Sequence, residues 1–321
     1  MKYSSKRIDF LIAVALQLIF LLFLFLILYR GDWLIKDKPI KFGATYMTMN
    51  NPYFKVLNEG IKEVVESNGD ILITRDPAQD QEKQNSQILE MLEEGVEAIF
   101  LNPVDWKAVE PALKACYEAE VPVFNIDTLV YDYSYVVSVI ISDNYNAGVQ
   151  CARDMMANLS QGNIVILDEP DIYSISERIK GFKDTIKGNP SFKVVAQKPA
   201  SGELEVAMEV MDEIISSEID FNVVMGGNDP TAIGALAALE SHHMSSNILI
   251  YGVDGSPDGK MMLRDGYLAG TSSQYPGKIG RIAADVAYKH INGEEIEEYI
   301  EVPVTFITRD NLSAFDINGW E

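Results

Sequence analysis

The sequence predicts an α/β protein: two similar doubly wound parallel-sheet lobes, preceded by one N-terminal transmembrane helix. Three observations carry that prediction. Residues 10–29 form an apolar run broken only by Gln17. From Ile40, and again after Asp143, short apolar runs alternate with longer amphipathic stretches. The length of 321 residues suits about two domains of ~150 residues each.

The N-terminal run comes first. Twenty residues at about 1.5 Å each cover a ~30 Å hydrocarbon core. Lys2, Lys6 and Arg7 precede the run, so the positive-inside rule keeps the N-terminus cytoplasmic and places everything after Arg30 outside. A cleaved signal peptide is the rival, but its apolar region is usually only ~7 to 15 residues. No small-residue cleavage site follows Leu28-Tyr29-Arg30, and no cysteine near the exit offers a lipid site. The expectation is an uncleaved single-pass anchor in the cell membrane, with residues 1–38 as cytoplasmic tip, anchor and short linker.

In the first series, strands are expected near residues 41–45, 71–74, 98–101 and 121–126, each followed by a helical pattern. In the second they are expected near 163–167, 193–196, 222–225 and 248–253, with helices such as 203–217 between. Strand-to-helix alternation requires right-handed crossovers and a parallel sheet covered on both faces, which suits apolar runs such as Val121-Pro-Val-Phe-Asn-Ile126. No Gly/Ser-rich or Pro-rich linker divides the halves, so residues 138–144 read as a hinge.

Composition removes several function classes. With 48 acidic residues against 26 basic, the net charge of −22 repels a phosphate backbone, so nucleic acid is not an expected partner. Three histidines and two cysteines supply no transition-metal spacing, and no cofactor is expected. Cys116 and Cys151 fall in helical stretches and read as free buried thiols, a single bridge being the alternative outside the cytoplasm. Gly226-Gly227 is followed by neither a P-loop nor a dinucleotide pattern. Residues 254–259 lack the spaced acids of a calcium loop. No nucleophile, base and orienting acid are suggested, and the protein is not expected to be an enzyme.

In parallel α/β sheets ligands bind beyond the carboxyl ends of the strands. The residues just after each expected strand are therefore the candidates for a site. They are Asn51, Tyr53 and Phe54 after the first strand, Asp127 after the fourth, Arg178 in the second half, then Asn228, Asp254 and Gln274. Carboxylates accept from hydroxyls, a guanidinium donates, and carboxamides do both, while aromatic rings cover the C–H face of a pyranose. That mixture suits a monosaccharide. Each residue also has a plainer reading: Asn51, Asp127, Asn228 and Asp254 as caps or turns, Tyr53 and Phe54 as core, Arg178 as a solvated helix charge.

Seven segments together resemble the periplasmic sugar-binding proteins of the ribose and galactose type: Thr48-Met-Asn-Asn-Pro-Tyr-Phe54, Leu101-Asn-Pro-Val104, Ile126-Asp127, Ser142-Asp-Asn144, Glu177-Arg-Ile-Lys-Gly-Phe182, Gly227-Asn-Asp-Pro-Thr-Ala-Ile-Gly-Ala-Leu236 and Gly252-Val-Asp-Gly-Ser-Pro-Asp-Gly259. The resemblance spans about Ile40 to Arg309 and assigns all eight candidates to sugar contacts. It implies a type I periplasmic binding fold whose lobes are crossed by three chain segments, one lobe of 39–142 plus 275–303 and the other of 143–274 plus 304–321.

Three positions depart from the ribose-type pattern. Thr128 stands where a second arginine follows the aspartate, Met47 replaces a small hydroxyl residue, and Gly202 sits near an expected aromatic wall, for which Tyr173 is the candidate replacement. A pentose such as D-xylose or D-ribose is the expected ligand. The anchor makes the chain similar to xylose-sensing relatives that present their sugar to a membrane histidine kinase, and this is the expected partnership. The alternative is the substrate-binding component of a sugar ABC importer, partnered by its permease.

Overall fold

Two six-stranded sheets organise Lys41–Glu321, which forms one unit; Met1–Ile40 is a separate one. The computed structural model describes residues 3–34 and 38–321, with side chains at 7, 10–25 and 38–321.

In the first unit, α1 runs over Tyr3–Leu34. Its apolar side chains from Phe10 to Phe25 are largely exposed. Among the described residues no helix is long and apolar enough to cross a membrane, so the expected span is not recovered as one. Lys2, residues 35–37 and the side chains of Lys6, Asp9 and 26–30 lie outside the described set.

In the second unit the elements alternate as the pattern requires. They begin with β1 (Lys41–Thr45), α2 (Pro52–Ser67), β2 (Ile71–Arg75), α3 (Gln81–Glu93), β3 (Ala98–Leu101), α4 (Glu110–Glu118), β4 (Val123–Ile126) and β5 (Ser138–Ser142). Next come α5 (Asn144–Asn158), β6 (Gly162–Asp168), α6 (Tyr173–Ile186), β7 (Phe192–Pro199), α7 (Leu204–Ser216), β8 (Val223–Gly226), α8 (Asp229–Ser241), β9 (Leu249–Asp254), α9 (Pro257–Asp265) and β10 (Gly270–Ser273). The chain closes with α10 (Pro276–Ile291), β11 (Tyr299–Val302) and β12 (Thr305–Ile307).

The first sheet has the order β11-β5-β4-β3-β1-β2 and the second β12-β10-β9-β8-β6-β7. All neighbours are parallel except β10 and β12. Each sheet reverses its winding direction once, between β1 and β3 and between β6 and β8, and the crevice at such a reversal is where ligands enter α/β sheets. The chain passes between the sheets three times, after β5, after β10 and after β11.

Two expectations are corrected. Residues 138–142 are not hinge but a fully buried strand; Val139-Ile-Ile141 is apolar enough for a central position, and the crossing begins only at Asp143. The strand β10, with sequence Gly-Thr-Ser-Ser, does precede Gln274, but it is absent from the expected strand ranges because it carries hydroxyls where a buried strand normally carries aliphatics. Those hydroxyls are satisfied internally: Thr271 donates to Asp229, Ser272 to Gln150 and Ser273 to the Gln274 carbonyl.

The core lies on both sheet faces. Ile164, Ile166, Val223 and Val253 pack with Phe182 and Ile179 of α6 on one face of the second sheet, while Val165, Leu167 and Val224 meet Met211 and Leu239 on the other. Side chains of this size contribute about 1.5–3 kcal/mol each when fully buried. Cys116 and Cys151 are free and buried in separate clusters.

One helix contact sets the position of the binding residues. A Cβ on Gly148 would lie 1.8 Å from the Arg178 carbonyl oxygen, and one on Gly181 would lie 2.0 Å from that of Tyr145. Only glycines allow α5 and α6 to approach this closely. The approach brings the start of α5 against the middle of α6.

Candidate functional site

The carboxyl ends of both sheets face one cavity of about 260 Å³. All eight expected residues line it: Asn51, Tyr53, Phe54, Asp127, Arg178, Asn228, Asp254 and Gln274.

From the first lobe, Asn51 caps α2, its side-chain oxygen accepting from the Tyr53 amide at 2.9 Å, so the cap and cavity roles coexist. The next two residues are then held in the first turn of α2. Tyr53 and Phe54 meet edge to face with ring centroids 5.3 Å apart. Asp127 follows β4 with φ +66, a left-handed conformation that turns the chain at the sheet end. Its Oδ2 accepts from Asn102 at 3.0 Å. Asn102 is held in turn by Gln84, which donates to the Asn102 carbonyl at 2.9 Å from a fully buried position.

From the second lobe, Arg178 projects from α6 and is 3 % exposed, which excludes the solvated-charge reading. Its Nε donates to Asn144 Oδ1 at 2.8 Å and its Nη1 to the Gly227 carbonyl at 3.0 Å. The same Nη1 lies 3.7 Å from Asp254 Oδ1. Asp254 ends β9 with φ +142, a sparsely populated backbone for a residue with a side chain, and such strain concentrates at ligand clamps. Gln274 donates to Asp254 at 2.7 Å and accepts from the Tyr53 hydroxyl at 3.4 Å. A continuous polar chain therefore joins Tyr53 of one lobe to Arg178 of the other.

The electrostatics follow from burial. Desolvation raises the Asp127 carboxyl, and Arg178, Tyr53 and Asn102 pull it back down. Asp254 is pushed up to about 8, first by burial, with Asp229 and Asp127 adding repulsion and Arg178 opposing. Burial likewise holds the Tyr53 phenol well above its ordinary value, so it remains a donor. The site presents the carboxyl groups of Asp127 and Asp254, with Glu203 and Glu205 also on its wall, one guanidinium, carboxamides and aromatic rings, which is a set for hydroxyl recognition.

The lobes touch around the cavity. Thr128 Oγ1 accepts from the Ser174 amide at 3.0 Å, giving the residue that departs from the ribose-type pattern a cross-cleft role. Gln79 donates to Glu203 across the mouth. Tyr173 does not line the cavity, contrary to its expected use as the missing aromatic wall; its ring packs against Trp106 at 5.8 Å, outside the site. Gly202 does line it, and its carbonyl accepts from Asn228 at 2.9 Å.

Sequence reasoning missed Gln79, Ser174, Ser201 and Glu203 on the cavity wall, and the supporting residues Asn102, Gln84 and Asn144. Asn102 was findable, since it too follows a strand, in Leu101-Asn-Pro-Val104. Among the described residues no cluster of His, Cys, Asp and Glu fits a metal ion.

Residues 42–295 match the periplasmic binding protein domain. The chain belongs to this family of periplasmic binding proteins. Its relatives include the ribose import binding protein RbsB of Bacillus subtilis strain 168, 29% identical over 274 residues, which cover 85% of this chain and 88% of that one. The D-apiose import binding protein of Actinobacillus succinogenes is 30% identical over 224 residues, 69% of this chain and 70% of its own. Among solved structures, an ABC transporter periplasmic solute binding protein from Actinobacillus succinogenes 130z with bound D-allose superposes with a TM-score of 0.79 at 25% identity, covering 87% of this chain and all of the other. The family is one of solute-binding proteins, and within it this chain is similar to a member named for ribose import and to a structure with bound D-allose.

Proposed function

We propose that this periplasmic binding protein captures a monosaccharide between its lobes and delivers it as the substrate-binding component of a sugar ABC importer. One observation carries the reading: Asp127, Arg178, Asn228, Asp254 and Gln274 converge with Tyr53 and Phe54 on a single cavity fed by both lobes. A sugar contacting both sets of residues favours the closed arrangement over the open one, and only such differential contact shifts a two-state equilibrium. Relatives named for ribose and D-apiose import support the sugar class and the permease partner.

A second reading is favoured by one feature. Residues 10–29 are apolar and the α1 side chains from Phe10 to Phe25 are exposed, a surface that lipid or another protein must cover. On this reading the chain is a membrane-anchored extracytoplasmic receptor that presents its closed state to a sensor histidine kinase, with a pentose such as xylose as ligand. Co-purification from membranes discriminates: retention with a permease supports import, and retention with a kinase supports signalling.

The sugar reading is tested by thermal shift of the full chain against D-ribose, D-allose, D-apiose, D-xylose and myo-inositol. A ligand that binds only the folded state raises its melting temperature, by an amount that grows with ligand concentration. A melting temperature indifferent to all five refutes the reading.

A further inference from the structure

The last residues of the chain reach the binding site from outside its lining. Leu312, Phe315 and Ile317 pack into the core of the second lobe, so the tail is rooted there. Beyond them the Trp320 ring meets the Tyr53 ring of the first lobe edge to face, with centroids 5.6 Å apart and planes at 75°. Tyr53 lines the cavity and Trp320 does not, so the tryptophan meets the tyrosine from outside the cavity lining. The tail has an anchor as well. Lys260 of α9 is fully buried, and its ammonium donates to the Gly319 carbonyl at 3.0 Å and to Glu321 Oε1 at 2.9 Å. A lysine is almost never buried this completely without partners, and here the tail supplies both. Glu321 Oε1 also accepts from the Asp316 amide at 3.1 Å, which folds the tail back on itself.

We propose that Trp320 is a positioning residue of the ligand site. Carried by the second lobe and tied down by Lys260, it fixes the Tyr53 ring of the first lobe at the angle that the sugar meets. The inference rests on the sugar reading for its effect on affinity, but the positioning itself does not depend on a ligand. Tyr53 has four side-chain neighbours that set its orientation: Phe54 and Asp127 from its own lobe, Gln274 and Trp320 from the other. Phe54 is adjacent in sequence and moves with it. Removing Trp320 leaves the 3.4 Å bond to Gln274 as the constraint from the other lobe.

Two measurements on the full chain test this, with Trp320→Ala, Trp320→Phe and Lys260→Met compared with the wild type. Without sugar, amide exchange at residues 53–57 should quicken about tenfold in Trp320→Ala and Lys260→Met and stay near wild type in Trp320→Phe, which keeps an aromatic edge. With D-ribose, D-allose or D-apiose, whichever binds the wild type tightest, Trp320→Ala should weaken affinity about tenfold and Trp320→Phe less than threefold. Exchange at 53–57 identical in Trp320→Ala and wild type overturns the proposal, whatever the sugar result. A wild type that binds no sugar while exchange responds as expected sinks the receptor reading and leaves the positioning intact. A fall in melting temperature with neither exchange nor affinity altered shows a purely structural tail and also overturns it.

Discussion

Arg178 and Asp254 face each other at 3.7 Å inside the cavity, both nearly completely buried, and the arginine is held by Asn144 and Gly227 more closely than by the acid it faces. The pair is therefore open to a third participant. A sugar hydroxyl can donate to the carboxylate and accept from the guanidinium without displacing either structural bond.

The two partners should respond differently to mutation. Replacing Arg178 by Ala removes the donor to Asn144 and Gly227 and the charge that opposes the raised Asp254 carboxyl, and should abolish sugar binding and lower the melting temperature, with Asp254 staying protonated to a higher pH. Replacing Asp254 by Asn keeps a partner for Gln274 and removes the repulsion, so binding should fall at least tenfold with the melting temperature unchanged or higher. Calorimetry and thermal melts of both variants check the asymmetry.

Stability should fall as the pH rises from about 4 to about 8. Asp254 holds its proton more tightly in the folded chain, about 8 against an ordinary 3.8. The folded state then binds more protons than the unfolded one across that window, so the contribution is complete below the lower value and lost through the upper. Asp127, also raised, acts in the same direction. Denaturant midpoints of the unliganded chain across this range should decline, and the Asp254→Asn variant should flatten the slope. A sugar hydroxyl donating to Asp254 favours its charged form, so binding at pH 7 should release protons, measurable as a buffer-dependent heat.

Thr128→Val removes the hydroxyl that accepts from the Ser174 amide across the cleft. A lost hydrogen bond of this kind contributes about 1 kcal/mol, so affinity should weaken roughly fivefold, with the open state more populated in small-angle scattering. Affinity equal to wild type would show that this bond does not favour closure.

Gly148→Ala should destabilise the chain by several kcal/mol, since its Cβ would meet the Arg178 carbonyl carbon at 2.8 Å and the oxygen at 1.8 Å. The variant also pushes Arg178 away from Asn144. Loss of sugar binding together with stability in denaturant melts is the expected outcome.

Much of this architecture was legible in the residues alone, and the reasons are physical. The strand at 98–101 announces itself because both faces are buried and Ala-Ile-Phe-Leu is uniformly apolar. Most of the eight cavity residues were found because strand ends in parallel sheets point at one crevice, a rule of topology more than of residue type, whereas Arg178 reaches the crevice from within α6. The features that stayed hidden depend on contacts distant in sequence. The Thr271, Ser272 and Ser273 strand is buried only because partners as far off as Gln150 satisfy its hydroxyls. Tyr173 was expected in the cavity as a substitute for the aromatic wall missing near Gly202, yet at the start of its helix it packs against Trp106 instead. Trp320 carries no local signal at all; its role exists because Lys260, sixty residues earlier, receives the tail.

The central claim is that a sugar is held jointly by residues of both lobes. A crystal structure of the chain with its tightest-binding sugar tests this most directly. The account predicts density within hydrogen-bond distance of Asp127 on one side and of Arg178, Asn228 and Asp254 on the other, with Tyr53 or Phe54 against the ring. Sugar bound to one lobe alone, or outside this cavity, would contradict it.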